Sequence, residues 1–131
     1  MKPQIPRLSD VPPSTALGNR TLYRAAEILH ERRDFVSFHE LLIEVAGSVQ
    51  LTKWDKQETK SGHIRWHNQL KFHSIYAVKA DLIRTDRKRG WKLTDSGHRI
   101  VSRGDPQLWF DTYWAQRMKY QQSRKTPNKH D

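Results

Sequence analysis

Three groups of residues have types and spacings that chemistry can use. Glu58-Thr59-Lys60 has the Glu-x-Lys form of one half of a metal-dependent nuclease motif, with Asp34 or Asp55 as upstream acids. Such a tripeptide recurs by chance, and no buried strand flanks it to hold a metal, so no catalytic role is assigned to it. His63 and His67 stand four apart, the spacing at which one helix face offers two imidazoles to a zinc ion. The chain has no cysteine and no third ligand in reach of that pair, so no metal and no other cofactor is expected. A Gly-rich phosphate loop and a Ser/His/Asp arrangement are also missing, and the expectation is a binder rather than an enzyme.

The third group is cationic. Arg87-Lys88-Arg89 are consecutive, and Arg65 and Lys71 precede them along a polar stretch. Residues 51–103 hold thirteen Lys or Arg against five Asp or Glu, whereas residues 1–50 hold six of each. Most of the formal charge of +10 over 131 residues therefore sits in the middle of the chain. Charge concentrated this way repels itself and attracts a polyanion. A basic amphipathic helix with a clean apolar face is not found there, which argues against a membrane surface. With no apolar run for a signal peptide or a membrane span, a cytoplasmic, nucleoid-associated setting is expected.

His67, Lys71 and Ser74 share one helical stripe with Val78, and are placed against base edges or nearby phosphates of double-stranded DNA. Lysine binds guanine, while His and Ser donate or accept. Asn68 suits a bidentate contact to adenine, and an internal capping role fits it equally. Arg65, near the helix start, is a phosphate contact or half of a surface ion pair. Ser61, in the turn before it, is a possible cap and is counted with the DNA-facing set. Arg87, Lys88 and Arg89 suit phosphates or an adjacent minor groove.

These residues need elements to position them. Residues 1–19 carry four prolines and little periodicity, and read as an irregular arm. Leu22, Ala25, Ala26 and Leu29 predict a first helix from about Arg20 to Arg33. Ser37-Phe38-His39-Glu40 has the form of a capping box opening a second helix, whose apolar face is Phe38, Leu41, Leu42, Val45, Ala46 and Val49. After a polar stretch to Gly62, a third helix from about His63 to Asp81 turns Trp66, Leu70, His73, Ala77 and Ala80 inward. Leu82-Ile83-Arg84 and Gly90-Trp91-Lys92-Leu93 predict a hairpin with a basic tip. Trp91, flanked by Ile83 and Leu93, is read as core. Thr94-Asp95-Ser96-Gly97 starts a short helix or turn. Asp105-Pro106 opens a last helix over 104–122, with Phe110, Trp114 and Met118 at intervals of four, and 123–131 is a polar tail. The fold class is mainly α with a small β-hairpin: a winged helix-turn-helix over 20–103 plus an added C-terminal helix.

The run from Ser61-Gly62-His63-Ile64-Arg65-Trp66-His67-Asn68-Gln69-Leu70-Lys71-Phe72 continues through Tyr76 and Lys79-Ala80-Asp81-Leu82-Ile83. It ends in Arg89-Gly90-Trp91-Lys92-Leu93-Thr94-Asp95-Ser96-Gly97. This resembles the N-terminal winged-helix domain of Mrr-type restriction endonucleases over roughly residues 20–100. That pattern has Gly where Asp81 stands, Ala where His73 stands, and a residue between the Gly and Trp of the wing. No nuclease domain accompanies the match, so the resemblance implies a free-standing DNA-binding module: a transcription regulator, or the targeting part of a restriction or mobile-element system. A protein-interaction adaptor or homodimer, using the aromatic C-terminal helix as contact surface, is the alternative. A small metal-dependent nuclease at Glu58 and Lys60 is the third reading.

Overall fold

The computed structural model describes residues 4–125, and among these it holds six α-helices and one two-stranded antiparallel hairpin. After a 3-10 turn at Leu8–Asp10, α1 spans Pro13–Arg32, α2 Phe38–Ser48, α3 Lys53–Lys56 and α4 Arg65–Lys79. Strands β1 (Ile83–Asp86) and β2 (Gly90–Leu93) follow, then α5 (Asp95–Val101) and α6 (Pro106–Lys125). This order is a winged helix-turn-helix with an added C-terminal helix, the expected class.

Helix α1 starts at Pro13, not near Arg20, which corrects the expected arm. Proline is unfavourable inside a helix but suited to its first turn, where its fixed φ is helical and its missing N–H is not needed. The early turns bury Leu17, Gly18 and Asn19. Gly18 lies where α1 crosses α4, and a Cβ there would run into the His73 ring. At the start of α2, Ser37 accepts from the Glu40 amide at 3.1 Å as expected. The reciprocal half of that box is not made, because the Glu40 carboxylate takes the Arg32 guanidinium at 2.9 Å instead. A full capping box forms at α3, between Thr52 and Asp55. The same Asp55, buried, accepts from Arg20 at 3.1 Å and ties that turn to α1.

In the hairpin, Ile83 pairs with Leu93, Arg84 with Lys92, Thr85 with Trp91 and Asp86 with Gly90. Val36 exchanges two 2.8 Å backbone hydrogen bonds with Trp91 on the free edge of β2. This short third rung anchors the wing to the α1–α2 connection. Gly90, at φ +103, sits against the Val36 carbonyl where a side chain would collide. Trp91 is buried as expected, packing on Phe38 at 4.9 Å between ring centroids.

Helix α6 closes the core more completely than the expected stripe. Trp109, Phe110, Tyr113 and Trp114 are all buried, with Phe110 and Trp114 stacked at 5.0 Å. Phe110, Trp114 and the half-buried Met118 form one edge of that face. The aromatic surface offered for a protein partner or a second copy is thus turned inward. Beneath it runs a buried chain of polar groups: the Tyr113 hydroxyl donates to Asn19 Oδ1 at 3.0 Å and accepts from His73 Nδ1 at 2.8 Å. The helix continues past the expected end at 122 to Lys125, and the remainder of the expected tail, like residues 1–3, lies outside the described residues.

Candidate nucleic-acid interface

Helix α4 is enclosed by α1 on one side and α6 on another, so its buried arc is wide: Trp66, Leu70, His73, Ser74, Tyr76 and Ala77. What remains in water is the stripe Asn68, Lys71, Ile75 and Val78, with Lys79 beside its end. This corrects the expected stripe through His67 and Ser74, which lies one residue away on both turns. Ser74 is only 7% exposed and its hydroxyl donates to the Lys71 carbonyl at 2.6 Å, so it faces no ligand. Ser74 stands four residues after Leu70 and three before Ala77, both buried, so it lies on the edge of the covered face.

Asn68 is exposed, and no side-chain hydrogen bond holds it within the described residues, so it braces no turn. His67 is half-buried, edge-on to Trp66 at 4.3 Å. Burial, then the Lys71 ammonium, lowers its pKa below the ordinary imidazole value, which leaves it neutral at neutral pH. A groove of about 210 Å³ runs between α2 and α4, lined by Phe38, Leu42, His63, His67, Asn68 and Lys71 among others.

The turn before α4 is built from backbone pairing. Thr59 N donates to the His63 carbonyl at 2.8 Å and Gly62 N to the Thr59 carbonyl at 2.9 Å. Ser61 is exposed and bonds the Thr59 hydroxyl at 2.9 Å; the cap position of α4 falls to Ile64. Arg65 is held in place, its guanidinium 4.2 Å from the Trp54 ring centroid and donating to the Trp54 carbonyl and to Gln57. Among the described residues it forms no surface ion pair, and it clamps α3 to the start of α4.

At the wing tip, Arg87 and Lys88 are exposed and neither side chain has an ion pair or hydrogen bond among the described residues. Arg89 differs: it pairs with Asp86 at 3.2 Å and lies 4.2 Å over the Phe35 ring. The Asp86 carboxylate also accepts from the Lys88 and Arg89 amides, both at 2.9 Å. Those amide bonds hold its pKa below the usual carboxylate value, so it stays charged and keeps the turn closed.

The two surfaces meet around the start of α2. Lys71 Nζ stands 5.2 Å from the Phe38 ring, which packs on Trp91 of the wing. Phe35 carries Arg89 and, at 5.5 Å, Lys92. The α4 stripe and the wing therefore flank one helix start. Arg84 and Lys92, directly opposite each other on the outer hairpin face, extend the basic surface. Neither was singled out in the sequence, although the alternation Ile83/Arg84 and Trp91/Lys92/Leu93 marks both as outward. Like charges facing across strands destabilise a hairpin.

Glu58 and Lys60 are both exposed, and Glu58 is bridged to Ile64 in the turn before α4. No group of three His, Cys, Asp or Glu able to hold a metal occurs among the described residues. No helix among them is long and apolar enough to cross a membrane.

Among families of known proteins, the Mrr N-terminal domain matches residues 25–103. The chain belongs to this family. The match takes in the last eight residues of α1, all of α2 to α5 and both strands, and stops before α6. The Mrr N-terminal domain is a unit distinct from the nuclease domain it is named with, and its family associates the chain with restriction systems. No curated protein and no solved structure matches the chain. One departure from the Mrr pattern now has a geometric meaning. Asp81, standing where Gly was expected, has φ 60 just after the end of α4. That left-handed position at a helix exit is where glycine is favoured.

Proposed function

We propose that this Mrr N-terminal domain binds duplex DNA without cutting it, laying α4 in the major groove with the wing tip on the adjacent backbone or minor groove. In this reading the chain is a transcription regulator or the DNA-targeting module of a restriction or mobile-element system. One observation carries the proposal: Lys71 on the open stripe of α4 and Arg87 and Lys88 at the wing are cations without carboxylate partners, on two elements joined through Phe38 and Trp91. A solvated basic surface needs no such convergence, whereas two strands of phosphates on either side of a groove do. Asn68 and Lys71 are the base-reading candidates, Arg87 and Lys88 touch phosphate, and Arg65, Arg89 and Asp86 hold the two surfaces in shape.

The test is a mobility-shift titration of the full chain with duplex DNA over a salt series. Each phosphate neutralised releases counterions, so log affinity should fall linearly with log salt, by about 0.9 per contact. A flat response, or no complex at low salt, rules the proposal out.

A further inference from the structure

We infer that α4 selects its DNA by packing thymine methyl groups against Ile75 and Val78. This rests on the DNA-binding reading above and adds the base chemistry to it. Ile75 is 51% and Val78 40% exposed, on the same stripe as Asn68 and Lys71. Mean hydropathy is -0.91, and only five large apolar side chains are counted as exposed among the described residues. Two of those five stand three residues apart on this one helix face, where they form a single apolar strip.

The surroundings of the strip fit a polyanion and not an apolar protein face. Helix α4 carries no Asp or Glu over its 15 residues. Lys71 borders the strip toward α2. Lys79 borders it toward α6, 5.7 Å from the Tyr76 ring and 5.2 Å from that of Tyr120. Arg117 of α6 lies over Phe72 at 5.0 Å. The pattern is an apolar centre with cations on both flanks.

A major groove supplies the complement. Its walls are phosphates, and the thymine C5 methyl is the apolar group that distinguishes one base edge on its floor. Asn68 lies about 10 Å along the helix from Ile75, at 1.5 Å per residue. That is roughly three base-pair steps at 3.4 Å each. Its amide, unengaged among the described residues, has the donor and acceptor that match adenine N6 and N7. Asn68 and Ile75 together then favour A·T pairs at two places in one site.

The experiment removes the methyl from the DNA without altering any hydrogen bond. Duplexes are selected by the full chain from a random pool, and each recovered duplex is rebuilt with uracil replacing thymine. Wild-type protein should bind the uracil form about fourfold more weakly for each methyl that was buried. Ile75→Ser, substituted at an exposed position and therefore expected to melt like the parent, should bind the thymine and uracil forms equally at the Ile75 step. Equal wild-type affinity for both forms overturns the inference while leaving DNA binding intact. A penalty that persists undiminished in Ile75→Ser and in Val78→Ser places the methyl against other residues and overturns it as well. Failure to bind any duplex, with no salt dependence, removes the DNA-binding reading itself and the inference with it.

Discussion

Protonating His73 should unfold this domain from its centre. The ring is 1% exposed, its Nδ1 donates to the Tyr113 hydroxyl, and its Nε2, beside Gly18, is buried without a hydrogen-bond partner among the described residues. A second proton would have to sit on that Nε2, as a buried cation with nothing to accept its hydrogen and with the Arg117 guanidinium nearby. Burial first, and Arg117 second, lower the pKa of His73 from 6.5 to about 3. At about 1.4 kcal/mol per unit this amounts to about 5 kcal/mol of native-state stability. Below pH 6.5 the unfolded chain takes up the proton and the folded one does not. The stability is therefore complete above pH 6.5 and declines as pH falls toward 3, by about 2 kcal/mol at pH 5. A domain of this size has about 5–15 kcal/mol in total, so the loss is easily read. Urea unfolding at pH 7.5 and pH 5.0, for wild type and His73→Gln, isolates it. The glutamine amide can still donate to Tyr113, and its packing cost is independent of pH. The variant should be less stable at pH 7.5 and about 2 kcal/mol closer to wild type at pH 5.0. Parallel pH dependence in the two proteins would show that His73 does not hold its neutral form as argued.

Three further outcomes follow from the geometry. Arg87→Ala with Lys88→Ala should leave the melting temperature unchanged, weaken binding to all duplexes alike and lower the salt slope by about two, one per phosphate contact. An unchanged slope would remove the wing tip from the interface. Trp66→Ala should cost about 3–5 kcal/mol in chemical denaturation, whereas Lys71→Ala should melt like the parent and lose about 1–3 kcal/mol of discrimination if it reads a base. A Lys71→Ala protein that melts early beside a stable Trp66→Ala would mean α4 faces the other way. Asp81→Gly should raise stability by about 0.5–1 kcal/mol, because the left-handed backbone there strains any side chain; a lower midpoint in thermal melting would show that the aspartate has a role beyond that turn.

Much of this architecture was legible in the chain before folding was considered. The surplus of cations over 51–103, the 3.6-residue spacing of Trp66, Leu70 and Ala77, and the Gly-Trp-x-Leu-Thr wing are local or compositional signals, and they led to the class and the family. The basic tip at 87–89 was equally plain, since a hairpin turn puts its central residues in water regardless of the rest of the fold.

The exact reading face of α4 was not legible. Periodicity says which residues share a side of a helix, but the width of the buried arc depends on how many neighbours cover it. Helix α6, beyond the family's boundary at 103, comes back onto α4 and covers its Phe72, His73 and Tyr76 side, while Asn68 and Ile75 stay open. Which cations were free was likewise a tertiary matter. Arg65 and Arg89 look in sequence like Arg87 and Lys88, yet each is captured by an aromatic ring, Trp54 or Phe35, brought near by a different segment. A charge and its helical or hairpin position are properties of the chain, whereas having no partner is a property of the packed molecule, because it depends on every side chain that folding places within a few ångströms.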